Sequence, residues 1–296
     1  MKIIVAGASG FLGTALRRQL AGAGHDPVQL VRSAAESADQ IHWDPARGEL
    51  DPTALDGADT VINLGGAPIA HWPWTDSYKQ QILNSRLETT GTIARSIAQL
   101  EQQPALVNAS GINYYGDQGD RQVDEDDPAG DEFLADVSRR WEEATRPAVD
   151  AGSRVVTMRT GVVLDRSGGA LKTIMIPFRL GVGGKLGDGR QFFPTISLHD
   201  YLGVVTRFAT DSSLRGPFNV VAPVPSTNGE FTRALGKHLH RPTLIPVPRF
   251  AVKTAAGELS TLVFTSVHAV PRRLLDAGFE FQHPTIDEQL AAALHS

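Results

Sequence analysis

Residues 2–13 read KIIVAGASGFLG, and this stretch decides the fold class. Its first part, 2–8, is a short run of β-branched and small apolar residues, which is typical of a strand buried on both faces. A GxxGxxG pattern over 7–13 follows and opens a helix, so backbone N–H groups can approach a pyrophosphate without an intervening Cβ. The motif residues expected to contact a dinucleotide are Gly7, Ser9, Gly10, Phe11, Leu12 and Gly13.

The rest of the first half alternates strand and helix patterns. Predicted strands cover 27–31, 60–64, 105–109 and 154–164, and predicted helices cover 11–21, 75–100 and 131–151. Strands separated by helices of this length indicate a parallel sheet that is covered on both sides. We therefore predict an α/β fold with a Rossmann-like, doubly wound parallel sheet.

The residues after the second predicted strand indicate the type of dinucleotide. A carboxylate at this position would bond both hydroxyls of the adenosine ribose and select NAD. The chain has Arg32 and Ser33 there instead. A guanidinium pairs bidentately with a phosphate, and Ser33 adds a further donor, so we predict NADP(H) as the cofactor. The alternative is that Arg32 is an ordinary surface arginine.

After about residue 165 the pattern changes, because glycines recur over 168–189 and prolines over 223–248. A helix at 199–210 and a strand at 217–221 resume the earlier alternation. Such glycine and proline density indicates a lobe built from insertions and a C-terminal tail. We expect an NADP-binding Rossmann domain at 1–165, with 196–222 returning to it, and a smaller C-terminal α/β substrate lobe made of 166–195 and 223–296.

Composition excludes several classes of protein. The chain has 296 residues and no cysteine, which removes disulfide scaffolds, cysteine–zinc sites, iron–sulfur clusters and cysteine nucleophiles. A formal net charge of −5 gives no general basis for nucleic-acid binding. No metal site is expected, since His238 and His240 do not share a helix face and His199 suits a surface or capping role.

The chain also shows no sign of a membrane partner. No segment approaches the ~18 consecutive apolar residues of a membrane span. The N-terminus passes directly into the first strand, and the glycines at 7–13 interrupt any reading as a secretory signal. We therefore expect a cytoplasmic protein that acts on a small molecule, and the sequence gives no oligomeric state.

Several blocks of sequence resemble the extended form of the short-chain dehydrogenase/reductase (SDR) superfamily. They include GASGFLG at 7–13, INLGGAPI at 62–69, NSRLETT at 84–90, NASGINYYG at 108–116, RTGVVLDRSGGAL at 159–171 and HRPTLIPVP at 240–248. More narrowly, the chain resembles the atypical subgroup, the NAD(P)-dependent epimerase/dehydratase proteins of the SDR39U type. This resemblance implies one Rossmann-like sheet and a small C-terminal lobe that caps a substrate cleft.

The resemblance also implies which residues surround the cofactor. They are Leu64, Gly65 and Gly66 on the adenosine side, Ser85 and Arg86 on the long helix, Ala109 and Ser110 beside the nicotinamide ribose, and Thr160, Gly161 and Val162 near the carboxamide. The chain departs from the subgroup where SAVGYYG and SWIHxxD are usual. An aromatic residue and a histidine are missing there, which leaves the substrate open.

The usual catalytic pair of the superfamily, Tyr-x-x-x-Lys, is absent. None of the four tyrosines is followed by a lysine at the required spacing, and the expected helix over 133–142 has neither residue. Tyr114 or Tyr115 can instead act as the acid, with Ser110 orienting the substrate, or both tyrosines can simply pack beneath a loop. The remaining candidates for the lost pair are Asp136, Ser138 and Arg139.

Two functions of different classes remain. The leading one is an NADP-binding oxidoreductase or nucleotide-sugar epimerase-like enzyme that acts on a small polar substrate. The other is a non-catalytic NADP-binding regulator or redox sensor, which the missing catalytic pair favours. Candidate contacts for an anionic group of a substrate, each with a structural ion pair as the alternative, are Arg86, Arg159, Arg179 and Arg190.

Overall fold

Seven parallel strands form the central sheet in the computed structural model, which describes residues 1–295, with the backbone alone at 255 and 256. Numbered along the chain, the strands are β1 Lys2–Ala6, β2 Asp26–Val31, β3 Gln40–His42, β4 Thr60–Asn63, β5 Ala105–Gly111, β6 Gln122–Val123, β7 Val155–Thr160, β8 Val162–Leu164, β9 Thr195–Ser197, β10 Gly216–Val220 and β11 His268–Ala269. The order across the sheet is β10-β7-β5-β4-β1-β2-β3, which confirms the predicted α/β fold with a Rossmann-like parallel sheet.

Helices cover both faces of this sheet and also build most of the C-terminal half. They are α1 Phe11–Gly22, α2 Asp76–Ile97, α3 Phe133–Glu143, α4 Arg146–Asp150, α5 Gly169–Arg179, α6 Leu198–Thr210, α7 Asn228–His238, α8 Arg249–Ala256, α9 Thr261–Phe264, α10 Arg272–Asp276 and α11 Ile286–His295. In the part of the chain described, no helix is both long enough and apolar enough to cross a membrane.

Strand β1 shows why both faces of the sheet are buried. Successive side chains of a strand point to opposite faces. Ile3 and Val5 join one apolar core, which contains residues of α1 and α6, while Ile4 and Ala6 join a second core, which contains residues of α2. All four side chains are fully buried, so the unbroken apolar run at the N-terminus serves two layers of helix at once.

The strand order reverses beside β1, and this reversal creates a crevice. The chain proceeds from β1 outward through β2 to β3 and then returns to β4 on the other side of β1. In open α/β sheets a ligand binds where such a reversal separates the loops at the carboxyl ends of the strands. The glycine turn after β1 and the loop after β4 both lie at this edge.

The single strand predicted over 154–164 is wrong, because Gly161 divides it. Strand β7 belongs to the central sheet, whereas β8 pairs with β9 in a separate two-stranded sheet. A Cβ on Gly161 would lie 2.7 Å from the backbone oxygen of Pro194, so only glycine fits this crossing of two chain segments. The turn leads the chain out of the main sheet.

Beyond this turn, a third apolar core forms away from the central sheet. It joins side chains of α5, α7 and α11, including Leu171, Phe178, Phe231 and Leu290. The glycine pattern after residue 165 predicted loops and short elements. The structure instead has the helix α5 within this segment, and the helix contains Pro177. The helix predicted over 131–151 is likewise two helices, α3 and α4, with a break at residues 144–145.

Candidate cofactor and substrate site

The glycine turn after β1 is closed by direct backbone contacts. Gly7 has φ +75°, and a Cβ there would lie 2.8 Å from the backbone carbon of Leu64. A Cβ on Gly13 would lie 2.2 Å from the backbone oxygen of Gly7. The turn therefore brings the start of α1 against the end of β1 as closely as the backbone allows.

The start of α1 is available to an anion. Gly10 is its N-cap residue, and no side chain among residues 1–295 caps it. The first turn of the helix carries no acidic residue, and Ser9 beside it is exposed. Free N–H groups and the positive end of the helix dipole favour phosphate at this point. The predicted contact Phe11 lies against Gly168 and Gly169, which cover this edge of the turn.

Arg32 and Ser33 follow directly after β2 and are both exposed. The strand register pairs Ala6 with Leu30, so these two residues lie at the same sheet edge as the glycine turn. Arg32 forms no ion pair with any described residue, and its guanidinium is therefore free for a ligand. His42 lies beside Ser33, with Nδ1 2.7 Å from the Ser33 backbone oxygen.

The loop after β4 is held from α2. Ser85 Oγ accepts a hydrogen bond from the Ala67 N–H at 2.9 Å, and Arg86 donates to the Ala67 oxygen at 3.1 Å. The predicted contacts Ser85 and Arg86 thus support the loop that contains Leu64, Gly65 and Gly66. Burial lowers the pKa of Arg86 to about 10. Its Nε–H is buried without a described partner.

A buried polar network lies beneath this loop, and sequence reasoning missed it. Asn63 accepts the Gly65 N–H and donates to Thr90 Oγ1 and Asn108 Oδ1, at 2.8 to 3.0 Å. Trp141 of α3 also donates to Thr90 Oγ1. The signal was present, since an asparagine occupies equivalent, fully buried positions in the two neighbouring strands β4 and β5.

The side chain of Ser110 belongs to a buried network that contains two charged residues. Its hydroxyl donates to Glu142 Oε1 at 2.8 Å. Glu142 also receives two hydrogen bonds from Arg159, at 2.9 and 3.0 Å, so a guanidinium and a carboxylate form a bidentate pair below the site. Although burial alone would lower the pKa of Arg159, Glu142 keeps that pKa above its ordinary value. Arg159, a predicted substrate contact, is therefore a structural ion-pair partner.

The structure argues against Tyr115 as a catalytic acid. Its side chain is fully buried, its hydroxyl donates to Asn219 Oδ1 at 2.7 Å, and that hydroxyl accepts from Arg159 at 3.0 Å. Burial raises the pKa of Tyr115. Tyr114 is half-buried, and its ring lies 3.5 Å from the Arg159 guanidinium carbon. Its hydroxyl has no hydrogen-bond partner within the described chain, so Tyr114 remains the candidate.

The other predicted residues gather at the ends of β5 and β7. These strands are neighbours, and their register pairs Ser110 with Arg159 and Gly111 with Thr160. Ala109 precedes Ser110, and Gly161 and Val162 follow Thr160, so all of them lie at one edge of the sheet. Among the alternatives to the lost pair, Ser138 is buried beside Gly111, whereas Asp136 and Arg139 pair with each other on the helix surface.

A cavity of about 670 Å³ opens in the C-terminal half of the molecule. Its titratable lining residues are Asp120, Lys185, Asp188, Arg190, Arg233 and His268. Of the predicted substrate contacts, Arg190 lines this cavity and Arg179 does not. A smaller apolar cavity of about 210 Å³ adjoins it and shares Thr232.

Family models match two parts of the chain. Residues 3–137 match the NAD dependent epimerase/dehydratase family, and residues 247–293 match a domain of unknown function, DUF1731. An epimerase family protein of Mycobacterium bovis, Mb2239, is 41% identical over 98% of this chain and 97% of its own length. The chain belongs to the NAD-dependent epimerase/dehydratase family. The epimerase family protein SDR39U1 of Bos taurus is 40% identical over 99% of this chain and 98% of its own length, which confirms the resemblance to the SDR39U type.

Solved structures of epimerase-family members agree. The human epimerase family protein SDR39U1, solved with NADPH, has a TM-score of 0.92 and 34% identity, and each chain covers 100% of the other. A nucleoside-diphosphate sugar epimerase from Corynebacterium glutamicum has a TM-score of 0.82 and 33% identity, over 99% of this chain and 58% of that one. The epimerase fold therefore extends over the whole chain, including the C-terminal half.

Proposed function

We propose that this epimerase-family protein binds NADPH in the crevice at the carboxyl edge of β1 and uses it in a redox reaction on a small polar substrate. The glycine turn carries the proposal, because Gly7 and Gly13, where a Cβ would collide with backbone, hold an uncapped helix N-terminus at the end of β1. The human relative solved with NADPH supports the same choice of cofactor.

The residues around the turn suit the parts of NADPH. The start of α1 holds the pyrophosphate, and Arg32 with Ser33 holds the 2′-phosphate. Leu64 to Gly66 line the adenosine side, and Ala109, Ser110 and Thr160 to Val162 line the nicotinamide side. When bound, NADPH supplies a hydride for transfer to an electrophilic carbon.

We assign the binding of an anionic part of the substrate to the cavity in the C-terminal half, whose lining includes neither Ser110 nor Tyr114. Lys185, Arg190 and Arg233 outnumber the acids Asp120 and Asp188 there, so an anionic substrate group is favoured. A nucleotide-linked sugar has such a group, and the Corynebacterium relative is named for that class. The third apolar core supports a substrate lobe made of 166–195 and 223–296, with 1–165 and 196–222 forming the cofactor domain.

In this proposal Ser110 orients the substrate and Tyr114 transfers the proton. Because the Ser110 hydroxyl donates to Glu142, its oxygen keeps lone pairs that can accept a hydrogen bond from a substrate hydroxyl. Tyr114 supplies or takes the proton, since its hydroxyl is the one at this network that no described residue engages. Arg159 and Glu142 position both groups from below.

The cofactor assignment is tested by the variant Arg32→Ala. We expect NADPH to bind about tenfold or more weakly while NADH binding stays unchanged, because a charged hydrogen bond to the 2′-phosphate is lost. Fluorescence titration with each nucleotide measures both constants. Arg18→Ala, on the exposed surface of α1, is the matched control. Equal weakening of NADH and NADPH would overturn the role of Arg32.

Turnover separates the enzyme from a binding protein. NADPH oxidation is followed by absorbance, and conversion without net oxidation by chromatography of the products, with a panel of carbonyl compounds and sugar nucleotides. Turnover on a member of the panel supports the enzyme. Tight NADPH binding without turnover on any member favours a regulator or redox sensor, a second candidate that the sequestered hydroxyl of Tyr115 supports.

A further inference from the structure

Two imidazoles and a carboxylate converge where β9 passes into α6. His199 Nδ1 lies 3.6 Å from Asp200 Oδ1, and His283 Nδ1 lies 3.9 Å from Asp200 Oδ2. One ligand atom from each of the three residues can be chosen so that all three atoms lie within 4.8 Å of one another. His283 comes from the segment before α11, so two distant parts of the chain meet at this group.

The carboxylate of Asp200 is built into the protein without a fixed positive partner. It is 1% exposed and accepts the N–H groups of Gln282 and His283, each at 2.9 Å. Within residues 1–295, no lysine or arginine pairs with it, and the titratable side chains beside it are the two histidines. A buried carboxylate is costly unless it is paired or coordinates a metal.

The spacing of the group suits a transition-metal ion. Ligand atoms about 2.1 Å from a tetrahedral ion lie about 3.4 Å apart, and the three ligand atoms here lie within 4.8 Å of one another, so a small inward movement of the side chains would close them around an ion. The backbone N–H groups of Gln282 and His283 orient the carboxylate, as outer partners do in metal sites. His283 Nδ1 lies 3.0 Å from Ser197 Oγ and has to leave this contact when it binds the ion. His199 is 65% exposed, so its ring can turn to complete the site.

We propose that His199, Asp200 and His283 bind a divalent transition-metal ion of the zinc class, with an open position for water. Two imidazole nitrogens and one carboxylate oxygen suit Zn²⁺ better than Mg²⁺ or Ca²⁺, which prefer oxygen ligands. The ion would fasten the segment around His283 to the start of α6. This site shares no residue with the proposed NADPH and substrate sites, and it differs from the expectation, made from the sequence, that the chain has no metal site.

The chain contains a natural control for this arrangement. His238 Nε2 lies 3.3 Å from Asp287 Oδ1, and the His238 and His295 rings are 5.7 Å apart. Here Lys237 already pairs with Asp287 at 3.1 Å, so a cation of the protein satisfies the carboxylate. This second histidine–aspartate–histidine group is therefore not expected to hold a metal.

The test uses the full chain after treatment with a chelator and dialysis. Isothermal titration with ZnCl₂ is expected to show about one ion bound per chain, and CoCl₂ is expected to give the visible absorption bands of a low-symmetry nitrogen and oxygen site. Zn²⁺ is also expected to raise the midpoint of thermal unfolding. His199→Ala and the double variant with His283→Ala should weaken Zn²⁺ binding at least tenfold, while His238→Ala should leave it unchanged.

Two results would overturn the proposal. One is the absence of saturable Zn²⁺ binding to the unaltered chain. The other is binding that survives the double variant or falls equally with His238→Ala, since either places the ion elsewhere. Circular dichroism of each variant checks that it is folded, and the exposure of His199 makes its replacement the mildest of the three.

Discussion

Glu142 and Arg159 form a buried ion pair beneath the site, and we expect this pair to contribute strongly to the stability of the protein. Their side chains are 15% and 4% exposed, and each of the two Glu142 oxygens accepts from the guanidinium. Glu142→Ala leaves a buried guanidinium without its carboxylate, so we expect a loss of about 3–5 kcal/mol in the free energy of unfolding. Urea denaturation followed by circular dichroism measures it.

The neighbouring residue provides the control for that prediction. Glu143 pairs with Arg139 on the surface, where the two side chains are 61% and 46% exposed. Glu143→Ala should cost no more than about 1 kcal/mol, because exposed ion pairs contribute little. A similar loss in both variants would mean that the buried pair has no special weight.

The two adjacent tyrosines should separate stability from catalysis. Tyr115→Phe removes a buried hydroxyl bonded to Asn219 and Arg159, so we expect a loss of about 1–3 kcal/mol in stability and little change in turnover per folded molecule. Tyr114→Phe should leave stability within about 0.5 kcal/mol and lower kcat more than it raises KM. The measurements are urea denaturation and NADPH oxidation with a substrate identified from the panel.

The reverse pattern, with turnover lost in Tyr115→Phe alone, would remove Tyr114 from the mechanism. The sequence could not rank these two tyrosines, because both follow one strand and precede one glycine. The two tyrosines differ because Asn219 of β10 and Arg159 of β7 form hydrogen bonds with the hydroxyl of Tyr115 and form none with that of Tyr114. Such contacts between distant segments have no local signature.

Among the elements, α1 is the one that a single methyl group should disturb most. A Cβ on Gly13 would lie 2.2 Å from the Gly7 oxygen, whereas nothing described lies within 4 Å of a Cβ on Gly22 in the same helix. Gly13→Ala should therefore cost about 1–3 kcal/mol of stability and weaken NADPH binding. Gly22→Ala should gain about 0.5–1 kcal/mol and leave NADPH binding unchanged.

Urea denaturation and nucleotide titration of these two variants test whether stability and NADPH binding require the close packing of Gly13 against the backbone of Gly7. If Gly13→Ala binds NADPH as tightly as the unaltered chain, the helix start is not the phosphate site. Local sequence was sufficient to predict this element, since the strand, the glycines and the helix are consecutive. It failed at Gly161, where the break between β7 and β8 depends on Pro194, 33 positions away in the printed sequence.

At the scale of the whole molecule, the alternation of strands and helices was enough to predict the sheet but not the cavity. The cavity combines Asp120 with residues 185–192, 227–244 and 268, which are separated by long stretches of chain. In the proposed metal site, His199 and Asp200 are consecutive in the sequence, but His283, the third residue of the site, lies 83 positions after Asp200. Chain folding alone brings these sets together.

Ion pairs between distant segments also predict how the stability of the protein changes at acid pH. Asp126, in the loop after β6, pairs with Arg272 and Arg273 at the start of α10, and Asp124 pairs with Arg272. Hydrogen bonds from Arg273 and then Arg272 hold the pKa of Asp126 below its ordinary value. A carboxyl whose pKa is lower in the folded state contributes stability above its unfolded pKa of about 3.9 and loses it as the pH falls through the folded pKa.

We therefore expect Asp126→Asn to reduce the fall in unfolding free energy between about pH 5 and pH 3, because the variant has no proton to take up at this position. Urea denaturation at a series of pH values measures that slope. Asp56→Asn is the control, since Asp56 is exposed and its side chain has no ion pair with a described residue. Equal slopes in the two variants would show that the contact between this loop and α10 does not contribute to the acid response. A smaller slope in Asp126→Asn alone would show that the C-terminal half is held to the loop after β6 by these charges, across a sequence separation that no local pattern reveals.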